Sequence, residues 1–203
     1  MLVARHSSLI TGDIDASYHR LGQGPSAKIS ERHGTRPMLD RLKEALFSVL
    51  DGYGPIRGRV LDLYAGTGSL GIECLSRGAA WADFVEQRGH VCRIIAENLE
   101  HTRLTDHARI HQMPVERYLS TAHPEEKYAI ILMDPPYADP LIEGTIRAVI
   151  ASGLLDDQGL LIVGHSPRVT LADDYEPLHR RKFRRLGDSC FSIYEVSAEP
   201  AIS

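Results

Sequence analysis

Arg59-Val-Leu-Asp-Leu-Tyr-Ala-Gly-Thr-Gly-Ser-Leu-Gly71 runs from an apolar stretch into Gly66-Thr67-Gly68-Ser69-Leu70-Gly71, a match to G-x-G-x-x-G. The pattern predicts a strand over 59–64, a tight glycine turn, and a helix from Ser69 to Arg77. Glu86 closes the next predicted strand, Trp81 to Glu86, twenty residues after Gly66. Strand, glycine turn, helix and acid at that spacing form a nucleotide-binding fingerprint: glycines let the backbone approach the ligand, and the acid holds ribose hydroxyls. An NAD(P)-binding oxidoreductase is one reading. Asp62, four residues before Gly66, argues against it. A carboxylate at the mouth of the loop repels a pyrophosphate, but suits a cationic ligand such as S-adenosylmethionine, with its ammonium and sulfonium charges.

Outward from this stretch the chain alternates. Gly89 to His101 reads as a helix, Ala108 to His111 as a short strand, and Val115 to Ser120 as a short helix. Tyr128 to Met133 is a strand, Leu141 to Ser152 a helix, and Gly159 to His165 a strand. Repeated β–α units predict a mainly parallel sheet with helices on both faces. Lys182 to Arg185 and Cys190 to Val196 flank Leu186-Gly187-Asp188-Ser189, which predicts a C-terminal antiparallel hairpin. Upstream, Pro37 to Leu50 has helical apolar spacing with proline in the first turn. Residues 1–36 are polar, with a short β-like piece at Ser8-Leu-Ile-Thr11, and read as an N-terminal extension to a domain over 37–198.

The chain has 203 residues, 43% of them hydrophobic, and a formal net charge of −4. That suffices for one large domain and excludes a global basic field, so any nucleic-acid contact must come from a local patch. His179-Arg180-Arg181-Lys182-Phe183-Arg184-Arg185 is such a patch: Arg180, Arg181, Lys182, Arg184 and Arg185 beside an aromatic suit an RNA backbone. A solvated edge strand that uses cations against aggregation is the other reading. Cys74, Cys92 and Cys190 are odd in number and widely spaced, which predicts reduced, partly packed thiols and neither a disulfide framework nor a zinc site. There is no apolar run of membrane-spanning length and no secretory h-region, so a soluble cytoplasmic protein without a metal is expected.

Asp134-Pro135-Pro136-Tyr137 ends the apolar run 128–133. Proline cannot continue a central strand, so these residues predict a stiff turn just past a strand end, where open α/β sheets bind ligands. Asp134 and the Pro135 carbonyl can accept hydrogen bonds from an amine, and the Tyr137 ring can stack on a flat base.

Asp62-Leu-Tyr-Ala-Gly-Thr-Gly68, Glu86 and Asp134-Pro-Pro-Tyr137 together resemble class I S-adenosylmethionine-dependent methyltransferases that modify exocyclic amines. With Thr35-Arg36-Pro37, Asp40-Arg41, Glu44-Ala45-Leu46-Phe47 and Leu75-Ser76-Arg77-Gly78-Ala79, the chain resembles the RsmD family over roughly residues 35–196. The resemblance implies a Rossmann-like, seven-stranded, mostly parallel sheet. It also implies S-adenosylmethionine as methyl donor and N2 of a guanine in 16S ribosomal RNA, or a small-subunit assembly particle, as acceptor. Asp134, Pro135, Pro136 and Tyr137 would be catalytic. Asp62, Tyr64, Ala65, Gly66, Gly68, Glu86, Val115 and Arg36 would serve the cofactor. The chain departs from the family pattern at Met38, at Asp13-Ile-Asp-Ala-Ser17 where the family is basic, and at Met113-Pro114 on the adenine side. An adenine-N6 methyltransferase and a non-catalytic RNA-binding relative remain further readings.

Overall fold

The computed structural model describes residues 36–123, 127–135 and 142–197, with side chains from residue 41 onward. In chain order these form α1 (Arg36–Asp51), β1 (Arg59–Leu63), α2 (Ser69–Ser76), β2 (Trp81–Val85) and α3 (Gly89–Thr102). A 3-10 turn at Thr105–His107 precedes β3 (Ala108–His111), α4 (Val115–Thr121), β4 (Tyr128–Met133) and α5 (Ile142–Ser152). The chain then makes β5 (Leu155–His165), β6 (Asp174–Tyr175), β7 (Leu178–Leu186) and β8 (Ser189–Val196). The β-like piece expected at Ser8–Thr11 lies outside the described residues.

One sheet in the order β3-β2-β1-β4-β5-β8-β7-β6 organises the molecule. Strands β1 to β5 run parallel, whereas β8, β7 and β6 pair antiparallel. From β1 the chain goes to β2 and β3 on one side, then returns to β4 and β5 on the other. The carboxyl ends of β1 and β4 therefore flank a topological switch point, the place where such sheets hold ligands.

The central strands are apolar because both their faces are covered. On one face α1, α2 and α3 bury Phe47, Ile72 and Ile95 against Val60, Phe84, Ile162 and Phe191. On the other, α4 and α5 bury Tyr118, Leu119 and Ile146 against Leu61, Leu63, Met133, Val163 and Tyr194. Each such side chain contributes about 1.5–3 kcal/mol when fully buried. In α1 the spacing of Leu46, Phe47 and Leu50 puts all three on the sheet side.

A buried carboxylate ties the parallel strands together. Asp83, 2% exposed, accepts from Arg59 Nη2 (2.8 Å), His111 Nε2 (2.7 Å), Trp81 Nε1 (3.0 Å) and the Tyr128 hydroxyl (3.0 Å). Tyr118 hydrogen-bonds Tyr128 in turn at 2.7 Å, so four strands and α4 share one network. Burial works to raise the Asp83 carboxyl, but hydrogen bonds from His111, Arg59 and Tyr128 outweigh it and hold it below the usual value.

The structure corrects three expectations. The sheet has eight strands rather than seven, because Asp174–Tyr175 pairs with Leu178 and His179. Two residues are too short to carry a periodicity. Strand β5 starts at Leu155 rather than Gly159: the register jumps from Tyr128↔Leu155 to Ile130↔Leu160, and the exposed Asp156-Asp157-Gln158 bulge out as a turn-like polar insert. Strand β7 starts at Leu178 rather than Lys182, its early charges tolerated because the strand is largely exposed. Cys74, Cys92 and Cys190 are free and buried, as expected.

Candidate active site

Three carboxylates, Asp62, Glu86 and Asp134, stand at the carboxyl ends of β1, β2 and β4. Asp62 belongs to β1 and is 2% exposed; its Oδ2 accepts the Gly71 N–H at 2.9 Å. Gly71 must be glycine for room: a Cβ there would lie 2.4 Å from Phe84 Cε1 and 3.0 Å from Asp62 Oδ2. Burial pushes the Asp62 carboxyl up to about 8; the Gly71 hydrogen bond opposes this, and the charges of Asp134 and Glu86 add to it.

Beyond β1 the backbone turns through left-handed residues, Tyr64 at φ 59°, Gly66 at 54° and Gly68 at 76°. Ala65 N–H donates to Val85 O at 3.0 Å and Gly68 N–H to Ala65 O at 2.7 Å, which ties the loop to β2 and closes it. A Cβ on Gly68 would approach Ile95 Cγ2 to 3.1 Å, so the loop lies flat on α3. Asn98, fully buried on α3, donates to Thr67 O at 2.9 Å. Tyr64 reaches across to α5, its hydroxyl 3.2 Å from Thr145 Oγ1.

Glu86, 3% exposed, follows β2 directly. Its carboxylate accepts from Arg88 N (2.9 Å) and Arg88 Nε (3.1 Å), and more loosely from Gly66 N (3.3 Å). A concavity beside it is lined by Tyr64, Val85, Glu86, Gln87, Met113, Val115 and Glu116. Met113 and Val115 line the same concavity as the acid.

Asp134 follows β4, exposed, with Pro135 buried behind it. Its carboxylate lies over β5: a Cβ on Gly164 would meet Asp134 Oδ1 at 2.3 Å and Cγ at 3.0 Å. Pro136 and Tyr137 lie outside the described residues, as does the side chain of Arg36, the first residue of α1. The sequence reading missed Arg88, Asn98, Thr145 and Gly164. Only Asn98 left a signal, a polar residue on the apolar face marked by Val91, Ile95 and Leu99. His165, at the end of β5, is buried and structural: Nδ1–H donates to Ser166 O (3.1 Å), leaving Nε2 to accept from Ser192 Oγ (3.1 Å). Among the described residues no group of His, Cys, Asp and Glu is arranged to hold a metal, and no helix is long and apolar enough to cross a membrane.

A switch-point glycine loop, an acid after β2 and Asp134-Pro135 after β4, on this sheet with its antiparallel hairpin, define a Rossmann-like class I methyltransferase fold. The family described as conserved hypothetical protein 95 matches residues 23–195, and the chain belongs to it, the RsmD-like methyltransferases. Ribosomal RNA small subunit methyltransferase D of Escherichia coli K12 is 33% identical over 182 residues, 87% of each chain. A solved hypothetical protein of Thermus thermophilus superposes with TM-score 0.69 at 32% identity, covering 86% of this chain and 95% of that one. SMU.776, solved in complex with S-adenosylhomocysteine, shares the fold with TM-score 0.60 at 16% identity, covering 68% of this chain and 45% of its own.

Proposed function

We propose that the chain transfers a methyl group from S-adenosylmethionine to the exocyclic N2 of a guanine in small-subunit ribosomal RNA, in the cytoplasm. The observation that carries this reading is the carboxylate of Asp134 beside the Asp62 and Glu86 pair at the switch point, in a chain of the RsmD family. The residues present fit the cofactor. The flat loop over Gly66 and Gly68 leaves the backbone open to close approach, and Glu86 is held rigid by Arg88 at 2.9 Å. Glu86 would hold the ribose hydroxyls. Asp62, Tyr64 and Ala65 would shape the methionine end, and Met113 and the Val115 N–H, in the first turn of α4, would serve the adenine. Arg36 would close the site from α1.

S-adenosylmethionine supplies, when bound, a methyl already activated on sulfonium. The chain's own task is orientation. A guanine N2 lone pair is delocalised into the ring and is a poor nucleophile. Asp134 and the Pro135 carbonyl would accept its two hydrogens, turn the lone pair toward the donor and stabilise the positive charge that develops on nitrogen. Tyr137 would stack on the extruded base, contributing roughly 1–3 kcal/mol. The test is transfer of labelled methyl to protein-free 16S rRNA and to small subunits that lack the modification, followed by mapping of the product. Asp134→Ala is expected to abolish transfer and keep S-adenosylhomocysteine affinity. Loss of both together would reduce Asp134 to a structural residue, and label on adenine N6 would replace the guanine assignment.

A further inference from the structure

The cations of β7 differ in what neutralises them. Arg180 pairs with Asp173 and donates to Leu171 O at 3.1 Å, and Arg181 pairs with Glu195 at 2.8 Å. Lys182, Arg184 and Arg185 have no carboxylate partner among the described residues. Arg184 and Arg185 reach only the carbonyls of Phe183 (3.3 Å) and Gly187 (3.2 Å). The division follows the strand, with compensated cations up to Arg181 and uncompensated ones from Lys182 at its middle to Arg185 beside the β7–β8 turn.

Register places that turn relative to the site. His165 pairs with Cys190 and Leu186 with Ser189, so the turn stands at the carboxyl end of the parallel strands, the end that bears Asp134. One row crosses the sheet there. Asp134 lies over Gly164, Gly164 pairs with Phe191, and Phe191 pairs with Arg184. Residues in register share a face, so Arg184 projects from the same face as Asp134, three strands away, about 14 Å at the usual strand spacing. Lys182, paired with Ile193, shares that face. Phe183 is on the other face, 45% exposed, its ring 6.0 Å from that of His165. Cations that merely protect an edge from aggregation have no reason to lose their partners only at the site end.

We propose that Lys182 and Arg184, on the face of Asp134, form a phosphate-binding edge for the RNA strand flanking the target base, continued round the turn by Arg185 on the opposite face, while Arg180 and Arg181 hold the sheet together. This rests on the rRNA reading above. Binding of protein-free 16S rRNA, followed from 50 to 200 mM salt, tests it without any methyl transfer. Losing one phosphate contact flattens the log–log salt dependence by about 0.7–0.9, so Arg184→Ala is expected to lose about threefold less affinity than wild type over that range. Arg184→Lys should restore the slope, and Arg181→Ala should keep it. A wild-type slope for Arg184→Ala, or equal flattening by Arg181→Ala, overturns the assignment. A loss of affinity that does not depend on salt also overturns it. This binding pattern in a chain that never methylates guanine would refute the proposed reaction and leave the surface standing.

Discussion

Cofactor affinity should depend on pH through Asp62. In the free protein, burial and the charges of Asp134 and Glu86 push its carboxyl up to about 8, so near pH 7 it is mostly protonated. A ligand whose cationic end needs the carboxylate must expel that proton, at a cost of about 1.4 kcal/mol for each pH unit below 8. Affinity should therefore weaken about fivefold from pH 8 to 7, about tenfold more to pH 6, and level off above 8. Calorimetry in two buffers of different ionisation enthalpy, with S-adenosylmethionine and S-adenosylhomocysteine, reads both the slope and the proton released. A slope shared by both ligands assigns the ammonium as partner; a slope with S-adenosylmethionine alone assigns the sulfonium. Asp62→Asn keeps an acceptor for the Gly71 N–H and should flatten the profile. The same carboxyl sets a stability trend. Its folded value lies above the unfolded one, so the free protein loses stability as pH rises from about 4 to 8, and Asp62→Asn should be the more stable protein at pH 8. Flat affinity from pH 6 to 9, without buffer-dependent heat, would refute the reasoning.

Two substitutions test the framework of the site. Gly71→Ala puts a methyl 2.4 Å from Phe84 Cε1, in a fully buried ring that has nowhere to go. It should cost about 1–3 kcal/mol by chemical denaturation and displace Asp62, lowering cofactor affinity; unchanged stability would mean that α2 yields freely. Asp83→Asn leaves the part-exposed Arg59 and His111 facing a neutral group and should destabilise the chain by about 1–3 kcal/mol. Because the folded Asp83 value is depressed, its contribution is present above about pH 4 and lost as pH falls through the folded value. The stability gap between wild type and Asp83→Asn should therefore narrow in acid, and a gap constant from pH 7 to 3 would contradict the network.

The parts of this fold that were legible in sequence are those whose physics is local. Strands β1 and β4 announce themselves as apolar runs because both their faces are covered. The glycine loop does so because left-handed φ at Gly66 and Gly68 restricts the residue type. Asp62, Glu86 and Asp134 were placed correctly at strand ends by spacing alone. What stayed hidden depends on register between strands distant in sequence. Asp83 reads as a polar interruption of β2 until Arg59, His111 and Tyr128 meet around it. Gly164 reads as a weak strand residue until Asp134 is seen to lie across it. The basic run looked uniform, and only pairing with β8 and the β6 side separates its paired cations from its unpaired ones.

The choice between a sulfonium cofactor and a dinucleotide, which the G-x-G-x-x-G pattern leaves open, turns on which amides remain available. A pyrophosphate binds such a loop through N–H groups at the turn and at the start of the following helix. Here the Gly71 N–H is already given to Asp62 at 2.9 Å, the Gly66 N–H leans on Glu86 at 3.3 Å, and the Gly68 N–H closes the loop onto Ala65 at 2.7 Å. Arg88 balances Glu86, but the Asp62 carboxylate has a backbone amide for support and two like charges for neighbours. Near pH 7 that carboxyl is mostly protonated, so a pyrophosphate meets amides already taken and gains nothing from Asp62, whereas a cation gains by drawing off the proton that burial and the neighbouring charges hold there. The loop has the letters of a dinucleotide site, but its carboxylates have taken up the donors a phosphate would need.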